Sequence, residues 1–426
     1  LMLSNLLQVL FNLSDIAVVG KFAGANALGS VGSTAILLTL FLAVPMGLAG
    51  GINVLTALAI GSKSKKDVSE TVHTAGVISL IAGLLLLLVG VVFARNILVI
   101  LHTKDELIEG AVAYLHIYFL GMPALALYNF GNAVFSAGGN TKKPLMYLSI
   151  AGVLNVILNL FFVIVLKIDV RGVALASAIS QYVSAFLILK DLFGSHEIYR
   201  LRWGEMRLTG HKAKRILQIG VPSAFQYMIY SVANLFVQSG VNSFSATVVS
   251  GNSAAMNADN LVYDIMAAFY TVCGTFMGQN LGARNKKRVI NSYLISLLYS
   301  TLIAVVAGMF LVIFSHQFLG LFANDKAVID AGVDRLVIMA SCYWLSAAMD
   351  CTTAATRALG KTVVPTIIMI LGSCVFRIVW IYTVFAAFGT TTSIYLLYGV
   401  SWLITGIPEV IYFIYIYRKT VHELNL

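Results

Sequence analysis

Long apolar stretches alternate with short polar connections along the whole chain. The hydrocarbon core of a bilayer is about 30 Å thick and takes about 20 apolar residues per helix. A window of that length predicts twelve membrane-spanning helices. The predicted spans lie near 1–20, 27–60, 72–94, 110–136, 145–166, 172–193, 216–240, 252–281, 289–314, 331–358, 364–388 and 393–417. This pattern predicts an all-α integral membrane protein.

The two halves of the chain are similar at a single offset, which indicates an internal repeat. The shift that carries Gly61 onto Gly282, here called the repeat offset, superposes two loops of the first half on two loops of the second half without a gap. It pairs Gly61, Lys65 and Lys66 with Gly282, Lys286 and Lys287, and it pairs Ala137, Gly139, Thr141 and Pro144 with Ala358, Gly360, Thr362 and Pro365. Because each half holds six spans, both halves share one orientation, and the repeat is parallel. We therefore predict two pseudo-symmetric six-helix bundles facing a central cavity.

The longest polar connection supplies the predicted domain boundaries. We predict an N-terminal six-helix lobe over 1–193, a cytoplasmic basic linker over 194–215 and a C-terminal six-helix lobe over 216–426. The repeat offset places Leu1 opposite Pro222, near the start of the seventh span. We therefore expect a few residues of the first helix to precede Leu1.

The charge of the chain reflects its topology. Hydrophobic residues make up 59% of the chain and charged residues 11%, with a net charge of +10. The basic residues cluster in connections between spans: 20 follow even-numbered spans or lie in the C-terminal tail, whereas seven, Arg335 among them, follow odd-numbered spans. Basic loops stay in the cytoplasm, so we predict a multi-pass protein of the cell membrane with both termini cytoplasmic. The basic charge therefore does not predict nucleic acid as a partner.

The sequence offers little support for an enzyme or a metal centre. Its four cysteines lie in apolar segments without metal-ligand spacing. Residues 355–362 end like a phosphate-binding loop, but Ala355 stands where the first glycine belongs. We find no catalytic triad of recognisable spacing. We therefore expect no cofactor and no resident metal, and we expect an ion gradient to supply the energy.

Polar side chains inside the first and fifth spans are candidates for ion coupling. Asn5, Gln8, Asn12 and Asp15 recur at helical spacing and share one helix face, and Asn12 and Asp15 are the ion-coupling candidates among them. Asn155 and Asn159 lie one helical turn apart and could complete a polar nest with Asp15. A polar seam between helices, or an interfacial cap by Asp15 beside Lys21, is the alternative interpretation. His73 and His116 lie near span ends, where structural roles are favoured.

The second half carries further polar stripes, which predict contact with substrate or polar helix seams. Gln226, Tyr230, Asn234 and Gln238 share one face of the seventh span, and Asn257, Asn260 and Asp264 share one face of the eighth. The candidate substrate-binding residues are Gln8, Gln226, Tyr230, Asn234, Asn257, Asn260, Asp264 and Asp350. A lone charge at this depth is costly, so we predict a structural charge pair between Arg377 and either Asp264 or Asp350. Asp259 is shallower and is expected to meet water.

Three short motifs in this order resemble the multidrug and toxic compound extrusion (MATE) transporters of the multidrug/oligosaccharidyl-lipid/polysaccharide (MOP) exporter superfamily. They are Asn12-Leu-Ser-Asp-Ile-Ala-Val-Val-Gly20, Ala137-Gly-Gly-Asn-Thr-Lys-Lys-Pro144 and Gly278-Gln-Asn-Leu-Gly-Ala283. Asn155 and Gly172-Val-Ala-Leu-Ala-Ser177 add to the resemblance, which covers essentially the whole chain. The resemblance implies two bundles that open a central cavity alternately to the two sides of the membrane, and a protonatable aspartate at Asp15.

The resemblance leaves the branch of the family open. Members similar to the DinF branch carry a second acid in the fifth span, where this chain has Asn159. Members similar to the NorM branch carry an acid in the tenth span, where Asp350 lies about one turn nearer the cytoplasmic loop. The coupling ion is therefore H⁺ or Na⁺. We predict a monomeric multidrug antiporter in the lipid bilayer that exports small, lipophilic organic cations.

Two other functions compete with this prediction. A flippase for lipid-linked oligosaccharides, from the same superfamily, would need a more cationic cavity to hold a pyrophosphate, and Arg377 alone fits that requirement. A membrane-embedded transferase acting on polyprenyl substrates would need acidic metal-binding motifs in its cytoplasmic loops. The sequence shows no such motifs, so the transferase is disfavoured.

Overall fold

The structure of the chain is a computed structural model that describes Val18, residues 25–100, Thr103 and residues 105–423. Gln8, Asn12 and Asp15 of the first predicted span lie outside the described residues. The helices of the first half are α1 (Ala25–Gly61), α2 (Lys65–Ile100), α3 (Asp105–Leu120), α4 (Met122–Ala137), α5 (Lys142–Leu160) and α6 (Asp169–Gly194). A π-helical stretch, Phe161–Val165, continues α5, and a 3₁₀ turn, Trp203–Glu205, follows α6.

The second half begins within α7 (Gly210–Val241). Its further helices are α8 (Ala246–Gly282), α9 (Lys286–Ile313), α10 (Ser315–Leu319), α11 (Lys326–Ala358), α12 (Val363–Met369), α13 (Phe376–Trp380), α14 (Ala386–Phe388) and α15 (Thr391–Glu423). Two π-helical stretches, Ile370–Val375 and Ile381–Phe385, join α12, α13 and α14 into one continuous span. Helices thus occupy the positions of the second to twelfth predicted spans.

Most of these helices are long and apolar enough to cross a bilayer. Among the described residues eight helices meet that condition, with α5 and α12 to α14 each counted together with their π-helical stretches, and the bent pair α3 and α4 makes a ninth. The bend of 46° between α3 and α4 lies at Gly121. Pro123 in the first turn of α4 explains the break, because proline donates no backbone hydrogen bond to the preceding turn. The predicted seventh and tenth spans form α7 and α11, whose polar residues lower their hydropathy.

The internal repeat is visible in the backbone. The repeat offset carries the first and last residues of α1 onto those of α8, and it carries the first residue of α2 onto that of α9. Lys63 and Arg284, which the same offset aligns, both take the left-handed conformation, with φ of 57° and 53°. Lys167 and Gly389 also share this conformation at almost the same separation. The offset found in the sequence therefore describes the turns and helix ends of both halves.

The described residues form two compact units, the first ending at Phe225 and the second beginning at Gln226. The division falls within α7. Ile52, Phe130 and Ile188 lie in the core of the first unit, and Val262, Leu336 and Tyr343 lie in the core of the second. The lobe and linker boundaries at 193 and 216 stay a prediction.

Small residues let helices approach closely inside each unit. A Cβ atom at Gly131 would lie 2.8 Å from the Ile188 side chain in the first unit, and one at Gly308 would lie 2.8 Å from the Ala340 carbonyl oxygen in the second. Close backbone approach at glycine is typical of helix packing in membranes, where van der Waals contact replaces the hydrophobic drive.

The predicted linker docks on the first three turns of α2. The Arg202 backbone N–H donates a hydrogen bond of 2.9 Å to Nε2 of the buried His73 ring. Nδ1 of His73 must then carry the proton that it donates to the Ser69 carbonyl oxygen, 2.7 Å away. The Thr209 backbone N–H donates to the Thr74 hydroxyl oxygen at 3.1 Å. His73 therefore has the structural role expected from the sequence.

Charged side chains reinforce this docking. Lys212 lies 2.6 Å from the Asp67 carboxylate. Glu205 accepts a hydrogen bond from the Ser69 hydroxyl and another, of 2.8 Å, from Arg202. The Ser69 hydroxyl and then the Arg202 guanidinium lower the pKa of Glu205 below its ordinary value of 4.5. The connection predicted as a loose linker is thus tied to the first unit by both backbone and side-chain bonds.

Candidate functional site

The asparagine pair of the fifth span lies inside the first unit. The Asn159 side-chain amide donates to the Asn155 side-chain oxygen at 3.2 Å, one helical turn away on α5. The Asn155 amide donates to the Ser177 hydroxyl of α6 at 3.4 Å. All three side chains are buried. Asn155 therefore makes a hydrogen bond between α5 and α6, as in the alternative interpretation of a polar seam between helices. The predicted part of Asn12, Asp15, Asn155 and Asn159 in ion coupling stays a prediction.

The polar stripe of α7 holds two arginines of the second unit. Gln226 accepts a hydrogen bond from the Arg357 guanidinium of α11. One turn further along, the Tyr230 hydroxyl accepts from Arg377 at 2.8 Å, and the Asn234 side-chain oxygen accepts from the same guanidinium at 3.0 Å. The spacing predicted from the sequence therefore produces a row of acceptors on one helix face. Whether these three side chains also contact substrate stays a prediction.

The hydrogen-bond partners of Arg377 are neutral. Its side chain is fully buried on α13, and its Nε donates to the Ser401 hydroxyl at 3.2 Å. Its guanidinium carbon lies 4.7 Å from the ring centre of Tyr230 and 4.6 Å from that of Tyr398. No salt bridge in the described part of the chain includes Arg377, but Asp350 is close enough to interact with it electrostatically, so the predicted charge pair with Asp264 or Asp350 stays a prediction. Three oxygen acceptors and two aromatic faces stabilise the charge of Arg377.

A buried ion pair joins α8 and α11, and the sequence reasoning missed it. Arg335, counted there as an outer-loop residue, is buried in α11 and pairs with Asp259 of α8. Its guanidinium also donates to the Asn252 side-chain oxygen at 2.8 Å. The Tyr343 hydroxyl donates to the other oxygen of Asp259. Asp259 therefore meets a guanidinium and a phenol, while its side chain stays 17% exposed.

Tyr398 connects this ion pair to Arg377. The guanidinium carbon of Arg335 lies 5.5 Å from the Tyr398 ring centre, on a ring that Arg377 also contacts. Two buried guanidinium groups thus share one aromatic side chain inside the second unit. The predicted tenth span, 331–358, includes Arg335, although the charge count places Arg335 with the outer loops. Its position in that span was the signal in the sequence that could have paired it with Asp259.

The remaining substrate candidates differ in accessibility. The Asn257 side-chain amide donates to the Ser253 and Ala254 carbonyl oxygens of its own helix, at 3.3 and 3.2 Å. Asn260 is exposed, and Asp264 is half-buried. The Ser346 hydroxyl donates to the half-buried Asp350 at 3.4 Å. Their contact with substrate stays a prediction.

Glu409 is a further acid that the sequence reasoning did not single out. It follows Pro408 in α15 and is fully buried. Its signal in the sequence was its place as the one acidic residue within the twelfth predicted span. Intramembrane acids are rare and usually functional, so Glu409 belongs with the candidate residues.

Two halves of repeated apolar helices, with buried asparagines in one unit and buried charges in the other, define a polytopic membrane transporter. The MatE family model matches the chain twice, over residues 1–161 and 222–383. The chain therefore belongs to the MATE family of transporters, and it is not an enzyme. The two matches begin at Leu1 and Pro222, which the repeat offset aligns, and this confirms the repeat found in the sequence.

Known relatives and solved structures agree with this assignment. "Probable multidrug resistance protein YpnP" of Bacillus subtilis strain 168 is 31% identical over 303 residues, which cover 68% of this chain and 64% of that protein. "Probable multidrug resistance protein YoeA" of the same organism is 25% identical over 87% of this chain and 81% of its own length. A solved structure described as an outward-facing multidrug resistance MATE family transporter matches with a TM-score of 0.89 at 20% identity, covering 100% of this chain and 94% of the other. The predicted fold class, an all-α membrane protein of twelve helices in two six-helix bundles, is confirmed.

Proposed function

We propose that this protein exports small organic molecules, drugs among them, in antiport with H⁺ or Na⁺. The observation that carries the proposal is the set of polar and charged side chains buried inside both helical units of a MATE-family chain. Such groups are costly in a membrane interior and usually mark a substrate or ion pathway. The names of YpnP and YoeA, each a "probable multidrug resistance protein", support drugs as the cargo.

Asp15 is the proposed ion-coupling group, and Asn12, Asn155 and Asn159 are the polar residues proposed to act with it. The bonded chain from Asn159 through Asn155 to Ser177 supports this choice, because it supplies polar groups inside an otherwise apolar unit. Protonation of Asp15 would remove a buried charge and let the first helix repack. A coupling ion shifts the two access states only by its different affinity for them, so Asp15 must be easier to protonate in one state than in the other.

The second unit supplies the proposed substrate contacts. Tyr230, Asn234 and Asp264 combine an aromatic face, an amide and a carboxylate, which suits lipophilic organic cations. In this proposal the two lobes open a cavity alternately to either side of the cell membrane. The protein acts as a monomer in the bilayer, with both termini in the cytoplasm.

Gradient-driven dye efflux tests the proposal. The protein is reconstituted in liposomes with a fluorescent cationic dye, and the proton and sodium gradients are dissipated separately. Efflux should stop when the gradient of the coupling ion is removed and continue when the other is removed. Efflux that continues without either gradient would contradict antiport.

A matched pair of acid variants tests the coupling group. Asp15→Asn should abolish gradient-driven efflux, whereas Asp105→Asn, an exposed acid at the start of α3, should leave it at the parent level. Undiminished efflux by Asp15→Asn would remove Asp15 from the mechanism.

The flippase alternative is less well supported. Its candidate pyrophosphate ligand, Arg377, is fully buried and already donates to Ser401, Asn234 and Tyr230. A pyrophosphate would have to displace these acceptors, so the cation exporter remains the better proposal.

A further inference from the structure

Glu409 is buried inside the second unit, and the described residues provide no hydrogen-bond partner for its carboxyl group. Its side chain has no exposure, and neither carboxyl oxygen has a hydrogen-bond partner among the described residues. Buried polar groups in proteins are nearly always bonded, so an orphaned carboxyl group requires an explanation. An ionised carboxylate in this place would be costly, because it has lost its water without gaining a donor.

The charged groups that act on Glu409 come from α11. Arg357 and Asp350 are close enough to act on it electrostatically, and they share one face of α11, about two helical turns apart. On the same helix as Glu409, Tyr412 is also close enough to interact with it electrostatically. A guanidinium and a second carboxyl of α11 therefore lie within electrostatic range of this carboxyl of α15.

The Arg357 guanidinium is only partly satisfied. One of its terminal nitrogens donates to Gln226 of α7, whereas its buried Nε has no acceptor among the described residues. A guanidinium that bonds a carboxylate gains the attraction between two opposite charges, which a neutral amide oxygen does not supply. An ionised Glu409 would therefore compete with Gln226 for this guanidinium.

A proton fits this site better than a metal ion. Among the described residues no three His, Cys, Asp or Glu side chains group so that they could hold a metal. A sodium or magnesium ion would also need several oxygen ligands, and it would meet the positive charge of Arg357. Binding a proton needs no set of oxygen ligands, and it neutralises the carboxylate directly.

We infer that Glu409 is a proton-binding group of the second unit, and that its proton exchange is coupled to a change of partner by Arg357. In the protonated state Arg357 donates to Gln226 and Glu409 is a neutral acid. On deprotonation the Glu409 O–H bond breaks, the proton leaves to solvent, and the guanidinium turns to the carboxylate. The inference extends the proposed ion coupling and rests on it only for the use of this proton in transport.

Infrared difference spectroscopy tests proton binding without any transport. The purified protein in detergent is titrated with base, and the carbonyl band of protonated carboxylic acid is followed. Glu409→Gln should remove the component of that band that arises from one buried acid. Glu423→Gln, an exposed acid at the end of the same helix that pairs with Lys419, should leave that component in place.

Asp350→Asn separates the two acids of the cluster. If the inference is correct, the buried-acid component survives Asp350→Asn and disappears in Glu409→Gln. The reverse result, or a spectrum of Glu409→Gln identical to that of the parent, would overturn the inference.

Two variants that keep Glu409 test the change of partner, and they also serve if Glu409→Gln does not fold. Arg357→Gln removes the positive neighbour, so the acid band should persist at pH values where the parent has lost it. Gln226→Leu removes the competing acceptor, so the band should be lost at lower pH than in the parent. Midpoints that do not move in these opposite directions would exclude the exchange of partners.

A transport measurement separates this inference from the proposed function. If the parent shows no ion-coupled efflux but Glu409→Gln loses the acid band, antiport fails and proton binding by Glu409 stands. If the parent shows proton-coupled efflux and the acid band is absent from every titration, antiport stands and the inference about Glu409 fails.

Discussion

Gly139 and Gly360 are partners in the internal repeat and take the same left-handed backbone conformation, with φ of 83° and 79°. Each glycine follows the end of a helix, α4 in the first unit and α11 in the second. An L-amino acid with a side chain is strained in this conformation, because its Cβ approaches the following carbonyl oxygen. The repeat has therefore kept glycine at two turns for the same steric reason.

Replacement of either glycine by alanine should destabilise the protein through its backbone alone. A Cβ at Gly139 or Gly360 would meet no atom within 4 Å, so no steric clash with a neighbour contributes. We expect a loss of about 1–2 kcal/mol in the free energy of unfolding for each variant. Thermal or denaturant unfolding in detergent measures it. Gly204→Ala, which also meets no atom within 4 Å and lacks a left-handed φ, is the control and should change stability little.

Much of the fold follows from the sequence because it depends on local patterns. Apolar length predicts a helix, and the equal spacing of glycine, lysine and proline in two loops predicts the repeat. The offset found from these loops also gives the start and end of α8 from those of α1. These features can be predicted without knowing which side chains contact each other.

The candidate site was less predictable because its contacts join distant segments. Arg335 lies near a span end, where the charge count places it with a loop. In the structure it is part of a helix and binds Asp259, 76 residues earlier in the chain. The sequence predicts a carboxylate partner for Arg377, whereas its hydrogen bonds and ring contacts in the structure are to neutral oxygens and tyrosine faces. A periodicity argument identifies which residues share a helix face, but it cannot identify the helix that this face meets.

The buried ion pair between Asp259 and Arg335 should be important for stability. Removal of one charge leaves the other buried without a counter-ion, which typically costs about 3–5 kcal/mol. We expect Asp259→Asn and Arg335→Gln each to lower the unfolding free energy by an amount of this order. The double variant should cost clearly less than the sum of the two, and unfolding in detergent of all four proteins measures the difference.

The exposed pair between Arg95 and Glu109 provides the comparison for that cycle. Its two groups lie 2.8 Å apart, but their side chains are 59% and 72% exposed. Removal of either one should therefore cost less than about 1 kcal/mol. Equal losses at the two pairs would show that the burial of Asp259 and Arg335 does not strengthen their interaction.

Arg377 should not tolerate replacement by lysine, although the charge is kept. The planar guanidinium bonds Ser401, Asn234 and Tyr230 together and lies over two aromatic rings, which one ammonium group cannot reproduce. The acceptors left without donors should lower the unfolding free energy by about 1–3 kcal/mol. Arg288→Lys, at an exposed position of α9, is the matched control and should have little effect. Equal stability of the two variants would mean that the charge of Arg377 matters and its geometry does not.

The docking of the 194–215 segment on α2 should depend on pH through Glu205. Because its folded pKa is lowered by Ser69 and Arg202, the stability that Glu205 contributes is present above its ordinary pKa of 4.5 and is lost as the pH falls through the lower folded value. We expect Glu205→Gln to unfold at a lower temperature than the parent at neutral pH, and this difference should shrink as the pH falls below about 4.5. Glu197→Gln, an exposed acid of the same segment, should show no such difference at either pH. A gap between Glu205→Gln and the parent that stays constant across this range would mean that the amide disrupts the contact by its shape, and that the carboxylate charge does not stabilise the docking.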